Sequence, residues 1–282
     1  MTRTPLLRRA IAAAGAAAIA LSLAACAPAA STGTDAASDY VTDGKLTIGT
    51  GEPAYYPWVI DDAPETGEGF EAAIAYAVAE ELGFAVEDIV WVRTTFDEAI
   101  APGAKDFDFN LQQFSITDER KENIDFSSPY YETTQVVITT ESSPAAGATS
   151  IADLKDLLIG AQTGTTSFDA VEQQIQPTAG AQVFNSNDDA KLALESGTVD
   201  AIVVDLPTAF YLTGVELTGG LIIGQLPVAD GKTGDEFGLV LPKGSPLTSK
   251  VTAAVDALRA NGTLADIAAE WLADAADAPV LK

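Results

Sequence analysis

Apolar residues recur along this chain at two spacings in turn, one typical of strands and the other typical of helices. Residues 45–50 alternate between polar and apolar as a strand does, and residues 135–140 form a β-branched run. Phe70, Ile74 and Leu82 fall on one helical face, and Gly83 is placed to end that helix. Strands and helices that follow one another in this way predict an α/β fold.

The same patterns predict the remaining elements. Ser150 and Asp153 have the spacing of a capping pair before a short helix, and Thr263 is expected to cap the last helix. Further strands are predicted at 106–111, 157–162, 201–204 and 239–241, and further helices at 166–175, 188–196 and around the stripe formed by Leu247, Val251, Val255 and Leu258. Because no repeat of 20 to 50 residues is visible, the sequence does not predict a solenoid.

Size, composition and charge narrow the class of protein. A chain of 282 residues with 47% hydrophobic residues is long and apolar enough to bury a core and to form two domains. Its 15 Lys and Arg against 41 Asp and Glu give a net charge of −26, which repels nucleic acid and anionic membrane surfaces. The chain contains no His, and this excludes a Ser-His-Asp triad and zinc held by His.

The first 25 residues have the parts of a secretory signal. Arginines precede an apolar stretch at 11–23, which is too short to span a bilayer. The Leu-Ala-Ala-Cys sequence that ends at Cys26 resembles the processing site of bacterial lipoproteins, so we expect lipidation of Cys26; the alternative is an ordinary cleaved signal with an incidental Cys. Cys26 is the only cysteine, so no intramolecular disulfide is possible. Residues 26–44 predict a flexible tether to the outer face of the cytoplasmic membrane.

A serine and an arginine lie five residues apart where a predicted strand leads into a turn. Ser115 and Arg120 belong to the segment 112–120, which an aromatic segment at 125–131 follows. A guanidinium is planar and permanently charged, and its forked donors match a carboxylate, while a hydroxyl adds a neutral donor and acceptor. Together the two side chains can hold a zwitterion. The alternative is that Arg120 lies in a solvated charge cluster at 118–122.

Seven short motifs follow one another along the chain. They are LTIGT at 46–50, YYPW at 55–58, GFE at 69–71, SITDER at 115–120 with DFSSPYY at 125–131, GTT at 164–166, VDAIVVD at 199–205 and GLVLPKG at 238–244. In this order they resemble the motifs of the family 3 solute-binding proteins of ABC importers, the receptors for polar amino acids. The resemblance extends from residue 44 to residue 272.

The resemblance implies a two-lobed fold of the periplasmic-binding-protein type (type II, a Venus flytrap), in which each lobe is a mixed sheet flanked by helices. Residues 45–133 and 234–282 would form lobe 1, and residues 134–233 would form lobe 2. The chain would cross between the lobes near 131–135 and near 230–236.

The resemblance also gives roles to the residues that would hold the head group of an amino acid. Arg120 is expected to clamp the α-carboxylate together with the backbone N–H of Ser115, whose hydroxyl reaches the ammonium. Thr165 and Thr166 open a helix after a strand, where N–H groups take carboxylates. Asp205, at the C-terminal end of a buried strand, is expected to pair with the α-ammonium. The alternatives are helix caps for the threonines and Asp205, and a structural ion pair for Arg120.

Aromatic and amide side chains are expected around the rest of the ligand. Tyr55 and Phe96 would be walls of the pocket, whereas Trp58 is expected in the core. In relatives the backbone carbonyl at the position of Gln113 meets the ammonium. The pair Gln112 and Gln113 replaces the small residues usual in the family. These amides would narrow the pocket, reach the ligand side chain or satisfy backbone groups at the end of a strand.

Two polar residues favour different ligands. Gln162 resembles a position that faces the ligand side chain, and a polar residue there favours a polar neutral or acidic amino acid. Glu52 corresponds to an acidic position that meets the distal cation in receptors for basic amino acids. It falls in a turn one residue longer than in many relatives, so exposure of Glu52 is as consistent with the sequence as contact. The sequence leaves the identity of the amino acid open.

Together these expectations describe a monomeric receptor that captures a polar L-amino acid and delivers it to the transmembrane subunits of an ABC permease. No cofactor, metal or catalytic residue is expected. One alternative is a ligand-binding sensor or adaptor for a membrane partner. The other is a dehydratase-like enzyme on the same scaffold, whose acid–base pair would consist of carboxylates.

Overall fold

The strands of the protein form two five-stranded sheets in a computed structural model that describes residues 38–228, 234–272 and 278–282. The first sheet contains β1 (Leu46–Gly51), β2 (Ile89–Thr94), β3 (Phe109–Asn110), β4 (Ile124–Thr133) and β10 (Asp235–Pro242). The second contains β5 (Gln135–Thr140), β6 (Ile159–Gln162), β7 (Gln182–Phe184), β8 (Ala201–Asp205) and β9 (Gly220–Gln225).

Both sheets are mixed and follow one design. In the first sheet, of order β2-β1-β3-β10-β4, β1 runs parallel to β2 and β3, and β10 runs antiparallel to β3 and β4. In the second, of order β7-β6-β8-β5-β9, β6 runs parallel to β7 and β8, and β5 runs antiparallel to β8 and β9. The chain leaves the first sheet at Thr134, between β4 and β5, and returns to it with β10.

Helices connect the strands. They are α1 (Phe70–Glu81), α2 (Phe96–Ile100), α3 (Asp118–Lys121), α4 (Thr166–Ala170), α5 (Asn187–Glu195), α6 (Leu206–Tyr211), α7 (Thr248–Ala260) and α8 (Thr263–Trp271). Two of them, α4 and α6, continue directly into π-helical turns, Val171–Ile175 and Leu212–Glu216. The predicted pair Ser150 and Asp153 forms a capping box at a short 3-10 helix, Ile151–Leu154.

Apolar side chains cover the sheets on their helix-facing sides. Leu46, Ile48 and Phe237 of the first sheet belong to a core shared with α1, α7 and α8. In the second sheet, Val137 belongs to one buried cluster, and Val136 and Ile138 belong to another. Successive residues of a strand point to opposite faces, so these two clusters cover the two faces of that sheet. The predicted α/β fold with two mixed sheets flanked by helices is confirmed.

The bounds of the elements show where the pattern of apolar residues was sufficient. The β-branched run is β5, with the predicted bounds, and the predicted helix 166–175 is α4 with its π-helical continuation. Thr263 is not the cap of the last helix; Gly262 occupies that position, in the left-handed region with φ of 91°. The pattern missed β4, because its pairing with β10 shifts register around Gly238, which interrupts a regular alternation.

The residues before the first strand pack more closely than the tether prediction expects. The backbone N–H of Val41 donates to Asp108 Oδ1 at 2.8 Å, and the ring of Tyr40 packs on Phe84 with centroids 5.0 Å apart. Tyr40 and Val41 therefore belong to the folded part, and the predicted tether at 26–44 ends before them.

The last residues of the chain pack against the second sheet. Val280 forms an isolated parallel bridge with Gln225 of β9, and Leu281 belongs to a buried cluster of that sheet. The prediction assigned the whole segment 234–282 to the first lobe, but residues 278–282 pack against the second sheet.

Some predictions concern residues that the structure does not describe. The signal at 1–25, the lipidation of Cys26 and residues 230–233 of the second crossover lie outside the described ranges. Within those ranges, no helix combines the length and the apolar character needed to cross a bilayer.

Candidate ligand-binding site

The predicted ligand-binding residues of both sheets converge on two cavities that share lining residues. The smaller, of about 30 Å³, is lined by Phe96, Gln113, Ser115, Arg120, Gln162, Thr165, Thr166 and Asp205 among others. The adjoining one, of about 200 Å³, is lined by Glu52 and Tyr55 and shares Phe96, Gln113 and Gln162 with the first. The structure thus gathers every predicted residue of the site around one cleft.

Arg120 lies in the smaller cavity with its charge buried and without an acidic partner. It is 9% exposed, so the interpretation as a solvated charge cluster is wrong for this residue. Its Nη1 donates to the carbonyl of Ser115 at 2.7 Å and its Nη2 to the carbonyl of Gly164 at 2.8 Å. Burial lowers its pKa, and several carboxylates at longer range oppose this effect. In the part of the chain that the structure describes, no carboxylate lies within ion-pair distance of Arg120.

The local sequence explains how Arg120 enters the cleft. It lies in the one-turn helix α3, which Thr117 caps by accepting the N–H of Arg120 at 3.2 Å. The guanidinium Cζ lies 5.3 Å from the centre of the Phe96 ring, a distance suited to a cation–π contact. Phe96 in turn packs on Phe114, with ring centroids 4.7 Å apart. Phe96 is therefore a wall of the cavity that also supports the arginine.

The two threonines at the start of α4 have different roles. The hydroxyl of Thr165 accepts the N–H of Phe168 at 3.1 Å and donates to the carbonyl of Gln162 at 2.7 Å, so this side chain is a helix cap, as the alternative interpretation held. The hydroxyl of Thr166 lies 3.0 Å from the hydroxyl of Ser115. This contact joins the two sides of the cleft next to Arg120.

Asp205 ends β8 and carries the second charge of the site. It precedes α6 but makes no side-chain cap hydrogen bond, so the capping alternative is wrong. Its Oδ1 accepts Gln135 Nε2 at 2.9 Å. Although the residue as a whole is partly exposed, burial of its carboxyl and the charge of Asp235 raise its pKa to about 7, against the opposing effects of Gln135 and Arg120.

Gln135 and Asp235 support Asp205 and were missed by the sequence interpretation. Gln135 Nε2 donates to Asp235 Oδ2 at 2.8 Å as well as to Asp205, and its Oε1 accepts the hydroxyl of Ser167 at 2.6 Å. Both residues start strands directly after the two passages of the chain between the sheets. Their position at the crossovers was the available signal, since polar residues at such points can reach both sides of a cleft.

The aromatic residues behave largely as expected. Trp58 is 1% exposed and packs edge-on against Phe70 and Phe237, so its prediction as a core residue is confirmed. Its Nε1 also donates to Thr208 Oγ1 at 3.2 Å, across to the segment after β8. Tyr55 is partly buried, and burial together with Asp188 raises its pKa.

The glutamine pair is held by other side chains and not by backbone groups at the end of a strand. Gln112 Nε2 donates to Thr94 Oγ1 at 2.7 Å and to Asn110 Oδ1 at 3.1 Å. Gln113 Nε2 donates to Glu71 Oε2 at 2.5 Å. Glu71 was noted only as part of the motif that opens α1, although an acid in the first turn of a buried helix was a signal of an internal partner.

A larger cavity of about 600 Å³ lies beyond Tyr55 and Gln113, and its charges are mostly paired. Lys191 contacts Glu216 at 2.7 Å and Asp188 at 3.8 Å. Volume alone therefore does not mark the site, and we locate it at the smaller cavities, where the unpaired Arg120 and Asp205 lie.

Comparison with known proteins agrees with this geometry. The chain is 33% identical over 231 residues to the L-arginine-binding protein of Pseudomonas aeruginosa, covering 79% of this chain and 86% of that protein. An ancestral arginine-binding protein bound to arginine is similar in structure, with a TM-score of 0.67, 29% identity and coverage of 81% of this chain and 98% of the other. An ancestral arginine-binding protein bound to glutamine gives a TM-score of 0.67 and 30% identity, covering 82% of this chain and 98% of the other.

The sequence profile of one family matches most of the folded chain, over residues 46–274. This match includes both sheets and every residue that lines the two smaller cavities. The chain belongs to the bacterial extracellular solute-binding proteins, family 3.

Proposed function

We propose that this protein is the extracytoplasmic binding component of an ABC importer and that it captures a polar L-amino acid between two closing lobes. The observation that carries the proposal is a pair of opposite charges, the buried Arg120 of α3 and the partly exposed Asp205 at the end of β8, which line one cavity and form no ion pair among the described residues. A buried charge without a partner is costly, so such groups mark a place where a charged ligand completes the structure.

An α-amino acid supplies both missing partners. Its carboxylate would take the forked donors of Arg120, with the N–H groups of Ser115 and Thr166 beside them. Its ammonium would pair with Asp205 and the Ser115 hydroxyl. The ligand then contacts both sheets only when they lie close together, and this differential affinity would drive closure.

The relatives favour a basic side chain on the ligand. The relative named above is an L-arginine-binding protein, and of the two similar ancestral arginine-binding structures one holds arginine and the other glutamine. Glu52 is exposed at the rim of the cavity of about 200 Å³, where it would attract a distal cation. Gln162, Tyr55 and Phe96 would surround the stem of the side chain. We propose L-arginine or a related basic amino acid as the ligand.

The same proposal includes the membrane attachment of the receptor and its permease partner. Lipidation at Cys26 would hold a monomer at the outer face of the cytoplasmic membrane, from which it would deliver ligand to the transmembrane subunits of the permease. The proposed role is binding and not catalysis, since the chain has no His and its single Cys lies at the proposed anchor.

A thermal-shift screen tests this function. Residues 38–282 would be unfolded, refolded to remove retained ligand, and then heated with each of the twenty amino acids, ornithine and citrulline. A ligand that binds only the folded state raises the apparent melting temperature by mass action. We expect a large shift with basic amino acids. If no amino acid shifts the transition, the proposed function is wrong.

A further inference from the structure

Glu71 is a buried carboxylate that the proposed clamp does not use. It lies in the first turn of α1 and is 2% exposed. Its Oε1 accepts the backbone N–H of Gln113 at 2.8 Å and the hydroxyl of Tyr130, and its Oε2 accepts Gln113 Nε2 at 2.5 Å. A buried carboxylate needs such donors, but here one residue, Gln113, supplies both a backbone and a side-chain donor.

Gln113 lies where the cavities of the cleft meet. It lines the cavities of about 30, 200 and 600 Å³. Its backbone has a φ of 53°, in the left-handed region, and in this conformation its N–H and its side chain reach the same carboxylate. A side-chain amide has one donor end and one acceptor end. Glu71 takes the donor end, and no donor among the described residues meets Gln113 Oε1.

Gln112 is oriented in the same sense by a different set of partners. Its Nε2 donates to Thr94 Oγ1 and Asn110 Oδ1, at 2.7 and 3.1 Å. Asn110 Nδ2 donates to the same hydroxyl at 2.9 Å, so the three side chains form one network. Across 38–228, 234–272 and 278–282, no donor meets Gln112 Oε1. Both residues line the cavities of about 30 and 200 Å³, and in each the carbonyl oxygen is the amide atom without a protein donor among the described residues.

We propose that Glu71 is a specificity-determining positioning residue, which holds Gln113 Nε2 so that Gln113 Oε1 receives an N–H donor from the ligand side chain. The inference rests on the proposed function, because it concerns the side-chain end of the same site. Together with Gln112 Oε1, which also has no protein donor among the described residues, Gln113 Oε1 would recognise a guanidinium or ammonium group. This end of the cleft rejects a carboxylate side chain, since the ligand oxygen and Gln113 Oε1 are both acceptors and no hydrogen would lie between them.

The substitution Glu71→Gln tests directly whether Glu71 sets the orientation of the Gln113 amide. The new amide can accept the N–H of Gln113 and the hydroxyl of Tyr130 with its oxygen, but its nitrogen then donates to Gln113 Oε1. The Gln113 amide must turn over and present Nε2 to the cleft. Arginine and citrulline are similar in shape. The guanidinium of arginine has only N–H donors, whereas the ureido group of citrulline has N–H donors and a carbonyl acceptor. We expect the arginine-over-citrulline affinity ratio, measured by calorimetry, to fall at least tenfold.

Asp108→Asn is a matched control. Asp108 is also 2% exposed and also accepts two backbone N–H groups, from Thr47 at 2.7 Å and Val41 at 2.8 Å, but it lines none of the three cavities of the cleft. Neutralising it should lower stability and leave the affinity ratio within threefold of wild type. A fall in the ratio in both variants would mean that loss of any buried carboxylate loosens the site, and it would overturn the inference.

Gln113→Met provides a second test if Glu71→Gln does not fold. It removes the acceptor and keeps the length of the side chain, so the ratio should again fall at least tenfold. The double variant should match Gln113→Met alone, because Glu71 acts through Gln113. A ratio within threefold of wild type in either folded variant overturns the inference. Wild-type protein that prefers glutamate to arginine overturns this inference and the proposed basic ligand but leaves an amino-acid receptor, whereas wild-type protein that binds no amino acid overturns the proposed function as a whole.

Discussion

The two ends of the cleft bury charge in opposite ways. At the proposed head-group end, the guanidinium of Arg120 donates only to backbone carbonyls and Asp205 receives a single side-chain amide, as far as the described residues go. At the side-chain end, the charge of Glu71 is covered by hydrogen bonds from Gln113 and Tyr130, and neutral amides face the cleft. The first arrangement leaves charges for the ligand to complete, whereas the second uses a charge to fix the direction of neutral groups.

This difference separates two tasks of a receptor. The head group is common to all α-amino acids, so full charges at that end provide affinity without selection among side chains. Selection needs groups whose donor or acceptor character is fixed, because a freely turning amide accepts either kind of ligand. Binding of the head group can be tested by substitution and by pH, and the largest effect is expected at the cation.

Removal of the cation should have the largest effect. Arg120→Ala would leave a bound carboxylate buried without a partner, which costs roughly 3–5 kcal/mol, or about 10²- to 4 × 10³-fold in affinity. Calorimetry with the preferred amino acid measures this change. Lys121→Ala is the matched control, since Lys121 is the exposed next residue and its one ion pair in the described part of the chain is with Asp118 at 3.2 Å. Affinity within threefold of wild type for Arg120→Ala would show that the carboxylate binds elsewhere.

Neutralising the anion should weaken binding less. Asp205→Asn keeps the shape and one acceptor, but it loses a charge-assisted hydrogen bond worth about 1.5–3 kcal/mol, or about 10- to 100-fold in affinity. The unliganded protein should not lose stability, because its carboxyl is buried beside Asp235 and gains little from its charge. Loss of the folded circular dichroism signal would instead show that Asp205 has a structural role.

Affinity should also depend on pH through the same residue. Asp205 has a pKa of about 7 without ligand, and an ammonium beside it favours its ionised form. Below about pH 7 the carboxyl must release a proton to bind, so affinity falls as pH falls, by about tenfold between pH 8 and pH 6. Asp205→Asn should flatten the titration. Because the chain has no His, a residual slope in this variant would point to Glu71, whose pKa is also about 7.

The stability of the unliganded protein should depend on pH in the opposite direction to the affinity. Glu71 and Asp205 have pKa values of about 7 in the folded state, above those of unfolded carboxyls, so the folded state binds more protons between about pH 4 and 7. The free energy of unfolding should therefore decrease as pH rises through this range, by a few kcal/mol from these two groups. Chemical denaturation at pH 5 and pH 7.5 measures it. Glu71→Gln and Asp205→Asn should each reduce the difference, and an unchanged difference in both would contradict the assignment.

The sequence predicts the head-group end of the site better than the side-chain end. Ser115 and Arg120 lie in one continuous motif, and Asp205 ends a clear apolar run, so order along the chain was enough to predict residues that line one cavity. The direction of the Gln113 amide depends on Glu71, 42 residues away, and on a left-handed φ at a non-glycine residue. Neither a long-range partner nor an unusual φ leaves a periodic signal, so the pattern predicted a glutamine near the ligand but not its orientation.

The same limit applies to the fold. A strand with regular burial such as β5 is visible from its apolar run, whereas β4 contains Ser127, Ser128 and Pro129 where its register with β10 shifts. The partner strand decides that β4 forms at all, and it lies more than 100 residues further along the chain. Pairing of this kind depends on tertiary contacts and not on local preference.

The smallest predicted effect concerns a single hydrogen bond between the two sides of the cleft. Trp58 Nε1 donates to Thr208 Oγ1 at 3.2 Å, and both residues are buried. Thr208→Val keeps the shape and removes the acceptor, at a cost of about 1 kcal/mol, or about fivefold in affinity if the contact forms only on closure. Thr213→Val is the control, because among the described residues the Thr213 hydroxyl donates only within its own helical segment, to the carbonyls of Ala209 and Phe210. A faster ligand dissociation in Thr208→Val, with unchanged unfolding of the free protein, would place this bond in the closed state. Lower stability of the free protein at unchanged affinity would instead show that the bond persists when the cleft opens, and closure would then depend on the ligand's own bridge between Arg120 and Asp205.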